Sequence, residues 1–267
     1  TDGLAMSISG NGLFNVSKPE GAVSSTATQF QSTQYYTRNG EFYEDKSGYL
    51  VNTSGYYLDG YMVDSTTGAL NTTKLTQINV ADVTFRPTQT TTMSTSGTLS
   101  SSATKGTLVT SDTTTIYDGN YNVNKPEANT GQVSLQWTNT GTDTWEVTAV
   151  ASTNSDGSTA TIGSNSGPYT VTFNTDGTLA SVTDSSGTNH FSTLTGASVN
   201  LPISVTFPDK TTQSIKLSLG TIGGSSGMTV GTSSTIPSLT TDSVTSGTYE
   251  SAEIESDGSV MAVFDNG

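Results

Sequence analysis

The chain has 267 residues, 31% of them hydrophobic and 12% charged, a composition that leaves Ser, Thr, Gly and Asn to fill short strands and many turns. It contains no cysteine, which excludes disulfides, thiolate metal sites and thiol nucleophiles, and its net charge of −14 with nine scattered basic residues argues against nucleic acid or an anionic membrane as partner. No apolar run approaches the roughly 18 residues that cross a bilayer, and no stretch has the 3.6-residue period of a long helix. The chain opens on Thr1 rather than Met and shows no signal peptide, so it is expected to be a fragment or a processed product.

Met6, Ile8, Phe14 and Val16 share one parity, with Gly10 and Gly12 between them, and predict a strand, a turn and a second strand. From Tyr35 to Tyr61, aromatic strand formers are interrupted by Asn39-Gly40, Ser47-Gly48, Ser54-Gly55 and Asp59-Gly60. Each pair can supply the positive φ of a tight hairpin, so a meander of short strands is expected. Ile78, Val80, Val83 and Phe85 form a further apolar run before Arg86-Pro87 breaks the pattern. Residues 88–102, and the Gly- and Ser-rich stretch from Gly223 to Ser234, hold few core-forming side chains and read as connectors.

Between those stretches lie five alternating runs: Val133, Leu135 and Trp137; Trp145, Val147 and Ala149; Tyr169, Val171 and Phe173; Ile203, Val205 and Phe207; and Ile215, Leu217 and Leu219. Their spacing predicts a β-sandwich or barrel. After the second connector, Tyr249, Ile254, Val260, Ala262 and Phe264 predict a strand pair around Asp257-Gly258. The fold class is therefore all-β with two β domains. Residues 1–87 and 237–267 are expected to form one discontinuous domain, into which residues 88–236 are inserted as the second.

Motifs for chemistry fail one by one. Gly223-Gly224-Ser225-Ser226-Gly227 fits G-x-S-x-G, but a nucleophile elbow needs a helix after it and none is predicted. The single histidine, His190, has only Asp184 nearby as an orienting carboxylate and reads as a surface loop residue. Asn154-Ser155-Asp156-Gly157, Asn174-Thr175-Asp176-Gly177 and Glu255-Ser256-Asp257-Gly258 resemble pieces of a calcium loop, yet none continues into the full ligand series, and Asp-Gly between strands is a hairpin signal. Trp137 and Trp145 could line a sugar site but are expected in the inserted domain's core. Asn-x-Ser/Thr triplets such as those at Asn15 and Asn52 are commonplace in this composition. No catalytic, cofactor-binding or metal-binding residue is assigned, and no enzymatic activity is expected.

Ile8-Ser9-Gly10-Asn11-Gly12-Leu13-Phe14, Tyr36-Thr37-Arg38-Asn39-Gly40-Glu41-Phe42, Gly48-Tyr49-Leu50-Val51-Asn52 and Gly55-Tyr56-Tyr57-Leu58-Asp59-Gly60-Tyr61 together resemble the ordered series of the flagellar rod and hook proteins, with Leu13 where Phe is usual. Gly247-Thr248-Tyr249, Ile254, Asp257-Gly258-Ser259-Val260-Met261-Ala262 and Phe264-Asp265-Asn266-Gly267 are similar to the segment that follows the hook family's inserted domain. Within the insertion, Thr115-Ile116-Tyr117-Asp118, Trp145 and Phe173-Asn174-Thr175-Asp176-Gly177-Thr178-Leu179 resemble a hook pattern and favour hook over rod.

The resemblance implies a discontinuous wall domain carrying an outer domain. It implies a structural subunit that leaves the cell through the flagellar export apparatus without a cleaved signal peptide. Such subunits polymerise with themselves into the curved tube between rod and filament, and their partners are the hook cap, the distal rod and the hook–filament junction. A distal rod subunit, or an extracellular adhesin or carbohydrate-binding module, is the alternative. Without the family's terminal helices the chain is expected to be monomeric. A Ser-, Thr- and Gly-rich outer domain implies contacts that slide between nearly equivalent registers as the tube bends.

Overall fold

The computed structural model describes residues 3–23, 29–64, 69–81, 83, 85–120, 122, 124–188 and 191–265. Among these the chain is β structure throughout, apart from one 3-10 turn at Pro126–Asn129. It folds as two compact units, Thr1–Arg86 together with Thr245–Gly267, and Pro87–Val244.

The first unit begins with β1 (Phe14–Ser17), β2 (Pro19–Glu20), β3 (Gln29–Phe30), β4 (Tyr35–Thr37), β5 (Phe42–Glu44), β6 (Leu50–Asn52), β7 (Tyr57–Val63) and β8 (Leu70–Gln77). Its main sheet runs β4-β1-β7-β6-β5 with β8 added to β7, while β2 and β3 form a separate ribbon. Val16, Phe42, Leu50, Leu58 and Val80 make the core, joined by Leu4 and by Ala252 from the far end of the chain. Removing each such side chain from water stabilises the unit by about 1.5–3 kcal/mol.

Two of the four expected turns are turns: Gly48 and Gly55 have φ of 88° and 79° and close β5–β6 and β6–β7. The other two Gly pairs are not hairpins. Asn39-Gly40 joins β4 to β5, which stand at opposite edges of the sheet. Gly40 is needed because a Cβ there would collide with Met6 O. Asp59-Gly60 lies inside β7, where buried Asp59 is captured by Ser17 and sheet pairing overrides the local turn preference. Residues 6–13 form no strand either; the local pairing is one isolated bridge, Ala5 to Glu41.

The second unit comprises β9 (Thr92–Ser100), β10 (Leu108–Thr110), β11 (Thr114–Tyr117), β12 (Thr130–Gly141), β13 (Thr144–Ser152), β14 (Thr161–Ile162), β15 (Tyr169–Phe173), β16 (Leu179–Thr183), β17 (Ser198–Thr206), β18 (Thr212–Thr221), β19 (Met228–Gly231) and β20 (Ser238–Thr241). These make two six-stranded sheets, β10-β12-β13-β15-β16 with β11 on β12, and β14-β17-β18-β9-β19 with β20 on β9. The inward residues of all five alternating runs enter one core. Trp137 and Trp145 are both fully buried in it.

Both supposed connectors are strands of this sandwich. β9 pairs in parallel with β18 and β19 and antiparallel with β20, so it is central to its sheet. Met93, Thr95 and Leu99 share one parity and are buried, and Thr92, Thr95 and Thr98 are β-branched strand formers, which is why a segment poor in apolar residues still pairs. In the Gly- and Ser-rich stretch, Met228 and Val230 face the core from β19 in the same way. The second unit also extends past residue 236, because Leu239 of β20 is buried in its core. After Val244 the chain returns to the first unit as β21 (Tyr249–Ile254) and β22 (Val260–Phe264), an antiparallel pair around Asp257-Gly258.

Candidate functional site

The segments that carry the sequence resemblance interlock in the first unit. Gly10, with φ of 96°, bends the Ile8–Leu13 stretch so that three of its carbonyls converge. Arg38, immediately after β4, places its guanidinium against them: Nη1 donates to Gly10 O at 2.6 Å and Gly12 O at 2.8 Å, and Nη2 to Ile8 O at 3.2 Å. A planar fork of donors can hold three carbonyls at once, as a Lys ammonium cannot. Met6 N then donates to Gly40 O at 2.9 Å, fixing the same loop from its other end.

Asp59 ties the middle of the sheet. Its carboxylate accepts from Ser17 Oγ at 2.9 and 2.7 Å, from Gln34 Nε2 at 2.9 Å and from Gln77 Nε2 at 3.2 Å, so β1, β7, β8 and the approach to β4 meet on one buried charge. Neutral donors around a buried carboxylate make charge-assisted bonds stronger than ordinary ones. Tyr57 donates its hydroxyl to Asp45 at 3.1 Å, and burial together with that bond pushes the phenol up to about 12.

The far end of the chain is fastened into the same unit. Tyr249 Oη donates to Glu44 Oε2 at 2.8 Å, Ile254 N donates to Gly3 O at 2.9 Å, and Phe264 stacks edge-on against Phe85 at 5.2 Å. Burial first, then the Glu44 bond, raises the Tyr249 phenol well above its ordinary value. Around this scaffold the surface is apolar in places: Leu13, Tyr36, Tyr43, Met62, Val63 and Leu70 are each about half exposed.

The motifs weighed for chemistry are turns and core. Gly223–Gly227 links β18 to β19, strand to strand, with Ser225 exposed. Asp156, Asp176 and Asp257 each turn a carboxylate onto the backbone amide two residues on, at 2.9, 3.0 and 2.8 Å. The hydroxyls of Ser158 and Thr178, followed by those amides, hold Asp156 and Asp176 below the usual carboxylate range, and the amide and then the hydroxyl of Ser259 do the same for Asp257. Asp184 is bound the same way, by Ser186 N and Thr188 N; Asn189 and His190 lie outside the described residues, as do Asn266 and Gly267. Among the described residues, no group of three or more His, Asp or Glu side chains is placed to hold a metal ion, and no helix is long and apolar enough to cross a membrane. A half-open hollow of about 340 Å³ at one end of the sandwich is lined by Ser100, Ser102, Lys105, Asn139 and Asp143 among others.

Sequence reasoning missed the Arg38 staple and the Asp59 cluster as physical objects, because their partners lie 18 to 42 residues apart. It also missed buried Asp118, whose carboxylate shares the Asn129 side-chain amide with that of exposed Asp209.

Residues 7–101 match the family described as the flagellar hook protein FlgE/F/G D1 domain. The matched stretch runs past the end of the first unit and takes in β9. Among curated proteins, the flagellar hook protein FlgE of Brucella abortus is 40% identical over 75 residues, 28% of this chain and 16% of that protein. The FlgE of Caulobacter vibrioides is 39% identical over 89 residues, 31% of this chain and 14% of that protein. The similarity therefore spans about a sixth of these relatives' length. The crystal structure of the Helicobacter pylori flagellar hook protein FlgE2 aligns over 99% of this chain and 86% of that one, at 13% identity and a TM-score of 0.34.

Proposed function

We propose that this chain, which carries the D1 domain of the flagellar hook proteins over residues 7–101, is a structural subunit of the bacterial flagellar hook that works by packing against copies of itself. The observation that carries the reading is the interlock of the family's ordered segments. Arg38 in the second block holds the carbonyls of the first, and only a glycine at position 40 leaves room for Met6 O against it. These residues build a rigid scaffold and leave its half-exposed tyrosines and leucines to face neighbours, as a subunit interface requires.

Polymerisation with itself, a place in the curved tube that couples rod to filament, and dealings with the hook cap, the junction proteins and the export apparatus all belong to this proposal. So do the absence of enzymatic activity and export to the cell exterior without a cleaved signal peptide. The second unit, whose outward strand positions are largely Ser and Thr, would supply contacts that shift between nearly equivalent registers when the tube bends. Engineered crosslinks between neighbouring copies of this unit should stiffen the hook and impair bending; free rotation of a fully crosslinked hook would remove the sliding contacts from the proposal.

A distal rod subunit is the second reading, because one family description covers the F and G proteins as well as E. Immunogold labelling with antibody raised against this chain separates the two. Labels on the short curved segment outside the cell are expected; labels confined to the basal rod would assign the chain to the rod, and labels elsewhere on the cell surface would overturn both.

A further inference from the structure

Among its described residues the first unit contains two Asn-Gly pairs, Asn11-Gly12 before β1 and Asn39-Gly40 between β4 and β5, and both asparagines are exposed. In such a pair the backbone nitrogen of the glycine can attack the amide carbon of the asparagine side chain, since a residue without Cβ leaves the approach open. The attack requires the linking peptide to turn about the line between its two Cα atoms and the side chain to swing over it. Whether a folded chain permits that motion depends on what holds the peptide and the side chain.

Asn39-Gly40 is held from both sides. Asn39 Oδ1 accepts from Glu41 N at 2.9 Å, and Asn39 N donates to Thr37 Oγ1 at 3.0 Å. Gly40 is buried, its carbonyl accepts from Met6 N at 2.9 Å, and Met6 O fills the space where a Cβ would stand. Asn11-Gly12 is held only at its flanks. Arg38 Nη1 takes Gly10 O and Gly12 O, which belong to the peptides before and after the linking one. Among the described residues, neither the Asn11 side chain, nor Asn11 O, nor Gly12 N makes a hydrogen bond. The 11–12 peptide can therefore turn while its neighbours stay fixed.

We propose that Asn11 is a self-modifying residue of the folded chain. Gly12 N forms a bond to Asn11 Cγ, the Cγ–Nδ2 bond breaks, and ammonia leaves with the proton that Gly12 N gives up, which closes a succinimide ring. Water then opens the ring. Attack at Cγ yields aspartate, and attack at the Asn11 main-chain carbonyl yields isoaspartate, whose chain continues through the side-chain carbon. The step needs no reactant beyond water. The isoaspartyl form carries an additional methylene between Gly10 and Gly12 and a new negative charge. The carbonyls of those two glycines, which converge on a single nitrogen of Arg38, then no longer meet it together. The staple between the first two sequence blocks thus weakens with the age of the molecule, while the contact of Gly40 with Met6 does not.

Peptide mapping by mass spectrometry tests this on the whole chain, incubated in warm, mildly alkaline buffer both folded and in urea. In urea the two pairs should convert at similar rates. In the folded chain Asn11 should keep its rate to within about threefold, whereas Asn39 should slow by roughly tenfold or more. An isoaspartyl-specific methyltransferase with a labelled methyl donor should mark the peptide that carries residue 11. Asn11→Gln, at an exposed position and with a larger ring to close, should fold normally and lose the mark. The aged chain should need less urea to unfold its first unit than the fresh chain, and the aged Asn11→Gln variant should show no such change. Equal slowing of both pairs on folding, or faster conversion at Asn39, would overturn the assignment. Isoaspartate at residue 11 with an unchanged urea midpoint would overturn the weakening of the staple.

Discussion

Replacing Asp59 by Ala leaves the buried Ser17 hydroxyl without its acceptor and takes one acceptor from the side-chain amides of Gln34 and Gln77, which keep Val16 O and Ser17 Oγ. A loss of about 2–4 kcal/mol is expected, since an unsatisfied buried donor costs about 1–3 kcal/mol and the group removed is charged. Urea unfolding followed by tyrosine fluorescence of the first unit measures it, and a change under about 0.5 kcal/mol would show that solvent had already satisfied those donors. Gly40→Ala acts differently. The new methyl meets Met6 O rather than a flexible side chain, so the backbone must move at a cost of about 1–3 kcal/mol or more. At this scale the sequence was only half legible: Gly40 stood out, but as a turn residue. A dipeptide reports the conformations it can adopt, whereas the need for glycine here comes from the backbone of Met6, 34 positions earlier in the chain.

Among the elements, β9 shows what composition hides. Its Thr and Ser residues resemble a linker when counted, yet Met93, Thr95 and Leu99 keep strand parity and lie buried between β18, β19 and β20. Leu99→Ala should therefore lower the stability of the second unit by about 2–5 kcal/mol, as deletion from a packed core does. Thr98→Ala, on the opposite face, should cost under about 1 kcal/mol. Thermal melts of the two variants check the contrast, and equal effects would mean that β9 is not packed as described. The five runs richer in Val, Leu, Ile and Trp were legible because each alternates over three or more core positions, whereas β19 offers only Met228 and Val230. The strands β10 and β14 are shorter still, β20 is as short as β19, and all three depend on their neighbours' pairing rather than on a pattern of their own.

For the molecule as a whole, each unit has its own core, and among the described residues the two clusters have no member in common. Residues 87–244 produced alone should fold and melt cooperatively, and calorimetry of the whole chain should resolve two transitions; a single transition with a disordered excised unit would contradict this. Sedimentation of the chain is expected to report a monomer. The motifs of the outer segments predict a crossing after residue 236, whereas the second compact unit runs to Val244, and Leu239, one buried side chain in a polar stretch, carries no pattern that a sequence could reveal. Where the second unit starts and stops, Thr88 N donates to Val244 O at 3.0 Å and Val244 N to Thr88 Oγ1 at 2.8 Å. Its entrance and exit are thus neighbours. Residues inserted or deleted between these two points lengthen or shorten the sandwich alone, so over evolutionary time it can be enlarged, trimmed or exchanged for another domain without altering the sequence of the first unit.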